Sequence, residues 1–238
     1  MRLVTGLQPV REAIRVHGER LERVLVEREG GPQIEAVARF AQDRGASVER
    51  VARADLDRAS KGARHQGAIA YAPDFTLVDI DELAEKLDPA AVVIALDEIE
   101  DPQNFGAVIR SAVALGATAI VWPEHHAAPL SPATFRASAG AVEHAALCRV
   151  AKLPSALSKL ADAGASVVGL DANAEKALAD IELPGAVVLV IGAEGKGLRK
   201  PVKSACTALA KLPMKGPIDS LNASVAAGIA LYDVLRRR

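Results

Sequence analysis

Apolar and polar positions along the first 75 residues follow the spacings of a small α/β unit. Helical stretches and short β-like runs alternate at residues 9–16, 21–26, 32–44, 46–51 and 67–71. Gly45 ends the second helical stretch, and Pro73 ends the last β-like run. The pattern predicts a small domain over residues 1–75, followed by an acidic linker over residues 76–89.

Strongly apolar runs recur beyond residue 90, with helical stretches between them. These runs are residues 91–96, 119–122, 147–150, 167–170 and 187–191. Apolar strands that alternate with helices are typical of a mostly parallel sheet covered on both faces. We therefore predict a second α/β domain over residues 90–238. Ligands of such sheets bind outside the carboxyl ends of the strands, so the loops after these runs are where chemistry is expected.

Composition limits the class of protein. Half of the 238 residues are apolar but only 3% are aromatic, so the core must be packed from Ala, Val, Leu and Ile. No run approaches the roughly 20 apolar residues of a membrane helix, and the amino terminus lacks a secretory signal pattern. The two cysteines, Cys148 and Cys206, suit a reducing cytosol. We expect a cytoplasmic protein without membrane contact, and no metal, since the five histidines have no metal-ligand spacing.

The net charge of −1 conceals an uneven distribution. Residues 1–75 carry a net charge of +2, residues 76–149 carry −7 and residues 150–238 carry +4. Two basic patches stand out, and each is either a phosphate-contacting surface or a merely solvated face. The patches consist of Arg58, Lys61, Arg64 and His65, and of Lys196, Arg199, Lys200 and Lys203.

The segment from Leu212 onwards combines a loop with an unusual helix. A short apolar run breaks at Pro213 into a glycine-bearing loop, after which Ser220 and Asn222 open a helix of small residues. Such side chains commonly cap helix starts by accepting from backbone amides. The small residues indicate either tight core packing or close approach of another group to the helix backbone.

The loop after residues 91–96 carries Asn104, which fits the N-cap of a helix over residues 105–115. Arg110 lies six residues further on, roughly 9 Å along the helix axis, among apolar neighbours. An arginine in this setting needs an anionic partner, because a buried unpaired charge is costly. The partner is either a structural carboxylate or a phosphate or substrate group.

The loop after residues 187–191 reads GAEGKGLR, with Glu194 among glycines. Glycines between a strand and a helix indicate close backbone approach to a ligand. Glu194 suits a cationic or hydroxyl-bearing ligand better than an anion. The spacing matches neither a dinucleotide fingerprint nor a P-loop, so neither of those two kinds of site is supported.

Taken in order, the segments NFGAVIR, IGAEGKGL and LPMKGPIDSLNASVAAGIAL resemble the three motifs of the TrmH family of the SPOUT superfamily. Members of that family are S-adenosylmethionine-dependent RNA ribose 2′-O-methyltransferases. The resemblance covers about residues 90–238. The front part, with GLQPVREAI and HQGAIAYAP, resembles the L30e-like RNA-binding domain of many members. This arrangement is similar to the bacterial subgroup that methylates a guanosine of 23S ribosomal RNA.

The resemblance implies an α/β fold in which a SPOUT domain with a parallel sheet and a deep trefoil knot follows a small L30e-like α/β domain. It implies S-adenosyl-L-methionine as cofactor, RNA as partner and a homodimer with each cofactor site near the dimer interface. The implied catalytic residues are Asn104, Arg110, Glu194, Ser220 and Asn222. The implied cofactor-binding residues are Gly192, Leu212, Met214 and Leu221. RNA binding is expected of Arg58, Lys61, Arg64, His65, Lys196, Arg199 and Lys200.

The expected reaction is attack of a ribose 2′-hydroxyl on the cofactor methyl, with no metal. Since a guanidinium normally stays protonated, we expect Arg110 to hold the RNA phosphate and polarise the hydroxyl rather than to act as the base. Two alternatives remain: methylation of a transfer RNA ribose, and a non-catalytic RNA-binding protein on the same scaffold. A metabolic nucleotide enzyme is disfavoured, because its phosphate-binding glycine motif is missing.

Overall fold

The computed structural model describes residues 1–218 and 220–237 and divides the chain into two compact units. Unit 1 comprises Met1–Phe75 and Leu130–His144, and unit 2 comprises Thr76–Pro129 and the residues from Ala145 onwards. The first division falls where the sequence pattern predicts it, after residue 75. Residues 130–144, however, belong to unit 1, although the pattern assigned them to the second domain. Local spacing predicts the type of an element but not the unit on which it packs.

Unit 1 is a four-stranded sheet with helices on both faces. Its elements are β1 (Arg2–Thr5), α1 (Leu7–His17), β2 (Arg23–Glu27), α2 (Pro32–Asp43), β3 (Val48–Val51), α3 (Arg53–Ala59), β4 (Ala68–Ala72) and, much later in the chain, α6 (Pro132–Ala137). The strand order is β1-β4-β2-β3, with β4 antiparallel to both neighbours and β2 parallel to β3. Apolar residues of α1 and α2 bury one sheet face, and Leu56 of α3 packs against the other.

Charged groups hold residues 130–144 in unit 1. The Glu143 carboxylate is fully buried and accepts two hydrogen bonds from the Arg2 guanidinium, at 2.7 and 2.5 Å. The same guanidinium lies 3.7 Å from the centre of the Phe75 ring. His144 contacts Glu12 of α1 at 2.9 Å. A buried carboxylate without such a partner would be costly, so this ion pair accounts for the position of the segment.

Unit 2 is a six-stranded parallel sheet with helices. Its elements are α4 (Ile80–Glu85), β5 (Val92–Asp97), α5 (Pro102–Leu115), β6 (Ala119–Pro123), β7 (Leu147–Val150), α7 (Leu153–Asp162), β8 (Ser166–Leu170), β9 (Val187–Gly192), α8 (Lys200–Ser204), β10 (Ala208–Ala210) and α9 (Ala223–Leu235). The strand order is β10-β8-β9-β5-β6-β7, and all pairings are parallel. The predicted parallel α/β domain is confirmed. The three-residue strand β10 was not predicted.

The stretch predicted as a linker is part of unit 2. It contains α4, and Leu83 of that helix is buried in the main core of the unit. Acidic side chains dominate this stretch, so the few apolar residues that α4 packs against the core did not stand out in the sequence pattern. The trefoil knot remains a prediction. Among the residues that the structure describes, no helix is both long and apolar enough to cross a membrane.

Candidate active site

A cavity of about 210 Å³ lies at the carboxyl ends of β8 and β9. All four predicted cofactor-binding residues line it, namely Gly192, Leu212, Met214 and Leu221. Ser220 and Glu194 also line it. Because the strands are parallel, their carboxyl ends meet at one edge of the sheet, and this brings loops distant in sequence to one cavity.

The glycine loop after β9 is folded tightly. A Cβ atom on Gly192 would lie 2.3 Å from the carbonyl carbon of Gly197, so only glycine fits there. Gly195 and Gly197 have φ angles of 72° and 64°, a left-handed conformation that favours glycine. The Gly197 amide donates to the Ala193 carbonyl at 2.9 Å and closes the turn. Glu194 lies within this turn.

Three polar residues from separate segments form one hydrogen-bond network. Glu194 Oε1 accepts from Asn104 Nδ2 at 3.2 Å, from the Ala223 amide at 3.1 Å and from Asn222 Nδ2. Asn222 Nδ2 also donates to Asn104 Oδ1 at 2.9 Å. The network joins α5, the glycine loop and the start of α9. Three of the five predicted catalytic residues are therefore in direct contact.

Asn222 is the N-cap of α9, as its sequence position predicts. Its Oδ1 accepts from the backbone amides of Ser224 and Val225 at 3.0 and 3.3 Å, and from the Ser224 hydroxyl at 2.6 Å. The cap oxygen therefore fixes the amide group, and the Nδ2 atom is left to donate toward Glu194. One side chain both starts the helix and enters the site.

The prediction that Asn104 caps α5 is wrong. The cap is Asp101, whose carboxylate accepts from the amides of Gln103 and Asn104 at 3.1 and 3.4 Å. Pro102 occupies the first helical position, which favours proline. The Asp-Pro pair in the sequence carried this signal. Because Asp101 provides the cap, the Asn104 side chain is free to contact Glu194.

Arg110 does not meet the expectation of a buried cation. It is exposed, while Val108, Ile109 and Ala112 on the opposite side of α5 are buried. Among the described residues it makes no ion pair or hydrogen bond, and it does not line the cavity beside Glu194. The structural salt bridge considered for this arginine is thus not observed in the part of the chain that the structure describes.

A second cavity of about 210 Å³ adjoins the first. Its lining residues are Glu98, Ile99, Glu100, Asp101, Asn104, Ala193, Glu194 and Lys196. Ala193 and Glu194 line both cavities. Glu194 Oε1 is engaged by the network, so the carboxylate is held where its other oxygen can accept from a ligand.

Two ion pairs near the site, each between a largely buried carboxylate and a partly exposed cation, were not predicted. The Asp97 carboxylate is fully buried and contacts the Arg199 guanidinium at 2.6 Å, and this hydrogen-bonded pairing raises the pKa of Arg199. Asp171 pairs with Lys203, and the hydrogen bond from this ammonium lowers the pKa of Asp171. In the sequence, each of these carboxylates stands at the end of an apolar run or directly after it. This position indicates a residue at the carboxyl end of a strand. Arg199, predicted to bind RNA, instead has its guanidinium engaged by carboxylates.

The basic patch of unit 1 is only partly available to a ligand. Arg58, Lys61 and Arg64 are exposed. His65 is 4% exposed, and its Nδ1 accepts from the Gly67 amide at 3.0 Å. The ring proton therefore lies on Nε2, which donates to Asp57 at 2.9 Å. His65 braces the loop that precedes β4, so its prediction as an RNA contact is wrong. Lys196 and Lys200 of unit 2 are exposed.

The cavity lining fits S-adenosylmethionine. Leu170, Ile191 and Leu212 offer apolar surface for a purine ring, and the glycine loop offers backbone groups. Glu194 supplies a carboxylate for a ligand with cationic groups. No cluster of three metal-ligating side chains occurs within residues 1–218 and 220–237.

Comparison with known proteins agrees with this reading of the site. Residues 91–232 match the SpoU rRNA Methylase family, and residues 3–77 match a family described as RNA 2′-O ribose methyltransferase substrate binding. A relative named as an uncharacterized tRNA/rRNA methyltransferase of Mycobacterium sp. (strain KMS) is 39% identical over 240 residues, which covers 99% of this chain and 76% of the relative.

Several solved structures resemble nearly the whole chain, and two of them serve as examples. One, of an RNA 2′-O ribose methyltransferase, has a TM-score of 0.81 at 29% identity and covers 99% of this chain and 88% of that one. Another, of an rRNA methyltransferase from Sinorhizobium meliloti with AdoMet bound, has a TM-score of 0.78 at 27% identity and covers 99% and 87%. Since the family match spans more than half of the sequence, the chain belongs to the SpoU (TrmH) family of S-adenosylmethionine-dependent RNA 2′-O-ribose methyltransferases.

Proposed function

We propose that this protein methylates the ribose 2′-oxygen of a guanosine in 23S ribosomal RNA. The match of residues 3–77 to a substrate-binding family of RNA 2′-O ribose methyltransferases supports RNA as substrate. The similarity of the whole chain to an rRNA methyltransferase supports ribosomal RNA. The guanosine is proposed from the resemblance of the two-domain arrangement to the bacterial subgroup that methylates this nucleoside.

The position of Glu194 between two adjoining cavities carries the proposal. The cavity lined by Gly192, Leu212, Met214 and Leu221 takes the cofactor. The cavity beside Asn104 and Glu194 takes the target nucleotide. S-adenosylmethionine supplies, when bound, a methyl group already activated by its sulfonium. Alignment and help with the hydroxyl proton are what remains for the protein to provide.

The polar network aligns the ribose. Asn104 and Asn222 fix the Glu194 carboxylate through its Oε1 atom, which leaves the second oxygen to accept a hydrogen bond from the 2′-hydroxyl or from a cationic group of the cofactor. Ser220, on the cavity wall, is within the same site and contributes a hydroxyl. A carboxylate held by several donors needs little reorganisation during the reaction.

Arg110 holds the RNA phosphate next to the reacting sugar. Its exposure leaves the whole guanidinium available for a two-point contact with a phosphate. The guanidinium then polarises the hydroxyl but does not take its proton, because guanidinium is not a base. The free oxygen of Glu194 accepts that proton. Exposed cations in each unit, Arg58, Lys61 and Arg64 on one and Lys196 and Lys200 on the other, steer the RNA backbone.

A second copy of the chain covers the outer face of α9. Val225, Ile229 and Tyr232 are 48%, 46% and 61% exposed. Their spacing of four and three residues puts them on one face of the helix. Asn222 starts the same helix, so a homodimer across this apolar face would bring a second subunit close to the active site. The cytoplasmic location inferred from the cysteines remains part of the proposal.

The test is transfer of labelled methyl from S-adenosylmethionine to RNA. Ribosomal RNA and bulk transfer RNA are purified from a strain that lacks the protein, incubated with the enzyme and digested to nucleosides. We expect label in 2′-O-methylguanosine from 23S RNA. Glu194→Gln should lower the rate strongly, whereas Glu182→Gln, which neutralises an exposed carboxylate outside both cavities, should not.

Other outcomes distinguish the alternatives. Label in transfer RNA alone would establish the alternative substrate. Label on a base, rather than on the sugar, would contradict the assignment of the 2′-oxygen. RNA binding without transfer would indicate a non-catalytic protein on this scaffold.

A further inference from the structure

Two carboxylates flank the strand that leads into the glycine loop. In the sheet, β9 lies between β8 and β5. Asp97 is the last residue of β5, and Asp171 directly follows β8. The Asp97 side chain is fully buried and that of Asp171 is 10% exposed. Neither belongs to the Glu194 network, so the proposed chemistry gives them no role.

Asp97 closes the glycine loop at both ends. In the β5–β9 register it stands opposite Gly192, the residue after which the chain leaves the sheet. After residues 193–198 the chain returns, and the Arg199 amide donates to Asp97 Oδ2 at 2.9 Å while Arg199 Nε donates to Oδ1 at 2.8 Å. Glu98 adds a contact to Nε at 3.3 Å. The loop that carries the catalytic carboxylate therefore begins beside the backbone of Asp97 and ends at its buried side chain.

Asp171 makes the corresponding contact on the other side of β9. It pairs with Lys203 of α8, and its Oδ1 accepts from the Asn173 amide at 2.9 Å. The Asp171 amide donates to the Ala210 carbonyl at 2.9 Å. Asp171 also lines the cofactor cavity. This pair consequently ties α8, which follows the glycine loop, to the wall of that cavity.

We propose that the pairs Asp97–Arg199 and Asp171–Lys203 are positioning devices for methyl transfer. The first sets Glu194 relative to the reacting hydroxyl, and the second sets the cavity wall that contacts the cofactor. The proposal rests on the assigned roles of Glu194 and of the cofactor cavity. It removes Arg199 from the RNA-binding surface and gives separate kinetic roles to two pairs whose cations are only four residues apart in sequence.

The carboxylates around Arg199 favour the positioning role of this residue over contact with the RNA backbone. The Arg199 guanidinium already faces two carboxylates, Asp97 and Glu98, at hydrogen-bond distance. A phosphate would have to compete with both, and Asp97 would then be left buried without its partner, which is costly. Lys196 and Lys200 have no such carboxylates among the described residues, which makes them the available cations of this segment.

The first pair is tested by Asp97→Asn and Arg199→Gln. A displacement of about 1 Å in a catalytic group can lower the rate by roughly 100-fold, so we expect kcat to fall between about 10-fold and 100-fold. Calorimetric affinity for S-adenosylmethionine should stay within a few-fold of wild type. Arg199→Lys, which keeps the charge but loses the two-point contact, should recover part of the rate.

The second pair is tested by Asp171→Asn. Loss of one charge-assisted contact at the cavity wall should weaken the cofactor affinity by about 5-fold to 10-fold, while kcat at saturating cofactor stays near wild type. Asp162→Asn is the matched control, since this exposed carboxylate at the end of α7 makes no contact with either cavity. We expect it to leave both quantities unchanged.

Amide hydrogen exchange tests the positioning without relying on activity. In Asp97→Asn the amides of Gly197 and Arg199 should exchange faster, because the loop loses its closure, while Asp171→Asn should leave them protected. Unchanged exchange and unchanged kcat in Asp97→Asn would overturn the proposal. So would an equal loss of kcat and cofactor affinity in both variants, together with a lowered Tm, because this would mark both pairs as merely structural.

Two results distinguish failure of the positioning role from failure of the proposed methyltransferase function. If Arg199→Gln reduces the slope of log Kd for RNA against log salt by about 1, Arg199 is a phosphate contact and the positioning role fails. If the wild-type protein transfers no methyl to any RNA, the proposed function fails, and calorimetry and exchange still decide whether the two pairs hold the loop and the cavity wall.

Discussion

Asn222 performs two separable tasks, and substitution by aspartate divides them. Its Oδ1 caps α9 through the amides of Ser224 and Val225, whereas its Nδ2 donates to Glu194 and Asn104. Aspartate is about as good an N-cap as asparagine. Asn222→Asp therefore keeps the cap and replaces the donor with a second carboxylate beside Glu194. Asn222→Ala removes both functions.

The magnitudes differ for the two variants. Loss of an N-cap costs about 1 kcal/mol, which lowers the Tm of a domain of this size by about 2–4 °C. In Asn222→Asp the cap energy is retained. Two carboxylates about 3 Å apart, however, repel by about 1.4 kcal/mol in water and by more at lower dielectric. Since both residues are exposed, we expect them to move apart, which displaces Glu194 and lowers kcat by about 100-fold.

Thermal unfolding and single-turnover methyl transfer test this reasoning together. Asn222→Asp should unfold close to the wild-type Tm yet be nearly inactive, and Asn222→Ala should be both less stable and impaired. The two-task account is wrong if Asn222→Asp keeps its rate within a few-fold of wild type. It is also wrong if the aspartate variant loses as much stability as the alanine variant.

Four further outcomes are expected. Gly192→Ala places a methyl group 2.3 Å from backbone atoms of the facing loop, so calorimetric binding of S-adenosylmethionine should be lost; retained affinity would show that the loop can yield. Arg110→Lys keeps the charge but not the planar two-point grip, so kcat should fall at least about tenfold; a rate near wild type would contradict the phosphate clamp. Burial raises the pKa of Cys148 and of Cys206 to about 11, so both stay protonated thiols at pH 8 and iodoacetamide should modify the native protein slowly, with the rate rising as the pH approaches 11; alkylation at the rate of an unfolded thiol at pH 8 would refute this. Ile229→Asp adds a charge to the exposed apolar face of α9 and should convert a dimer into a monomer in light scattering; a monomeric wild type would refute the proposed interface.

Local patterns were sufficient for the main strands of the second domain but missed α4 and β10. The five apolar runs of the second half all became strands of one parallel sheet. The cap at Asn222 was also readable, because capping involves only the next three residues. Four of the five predicted catalytic residues, all but Arg110, and all four predicted cofactor residues meet at the carboxyl edge of this sheet. This is because parallel strands bring successive loops to one edge.

The pairing of charged groups, in contrast, depended on tertiary structure. Arg199 meets Asp97 across 102 residues of sequence, and Arg2 meets Glu143 across 141. Nothing in the spacing around Arg199 distinguishes a cation held by a buried carboxylate from one that faces solvent and RNA. The position of His65 in a basic stretch suggested an exposed side chain, but the fold buries it.

The sequence by itself determined which segments form the main strands of the second domain and which polar residues stand at the ends of those strands. The tertiary structure decided which of those residues touch: Asn104 with Glu194 and Asn222, but not Arg110 with any of them. The physical reason is that periodicity and capping are energies of neighbours along the chain. Burial and charge compensation are energies of neighbours in space, which form only when distant segments pack together.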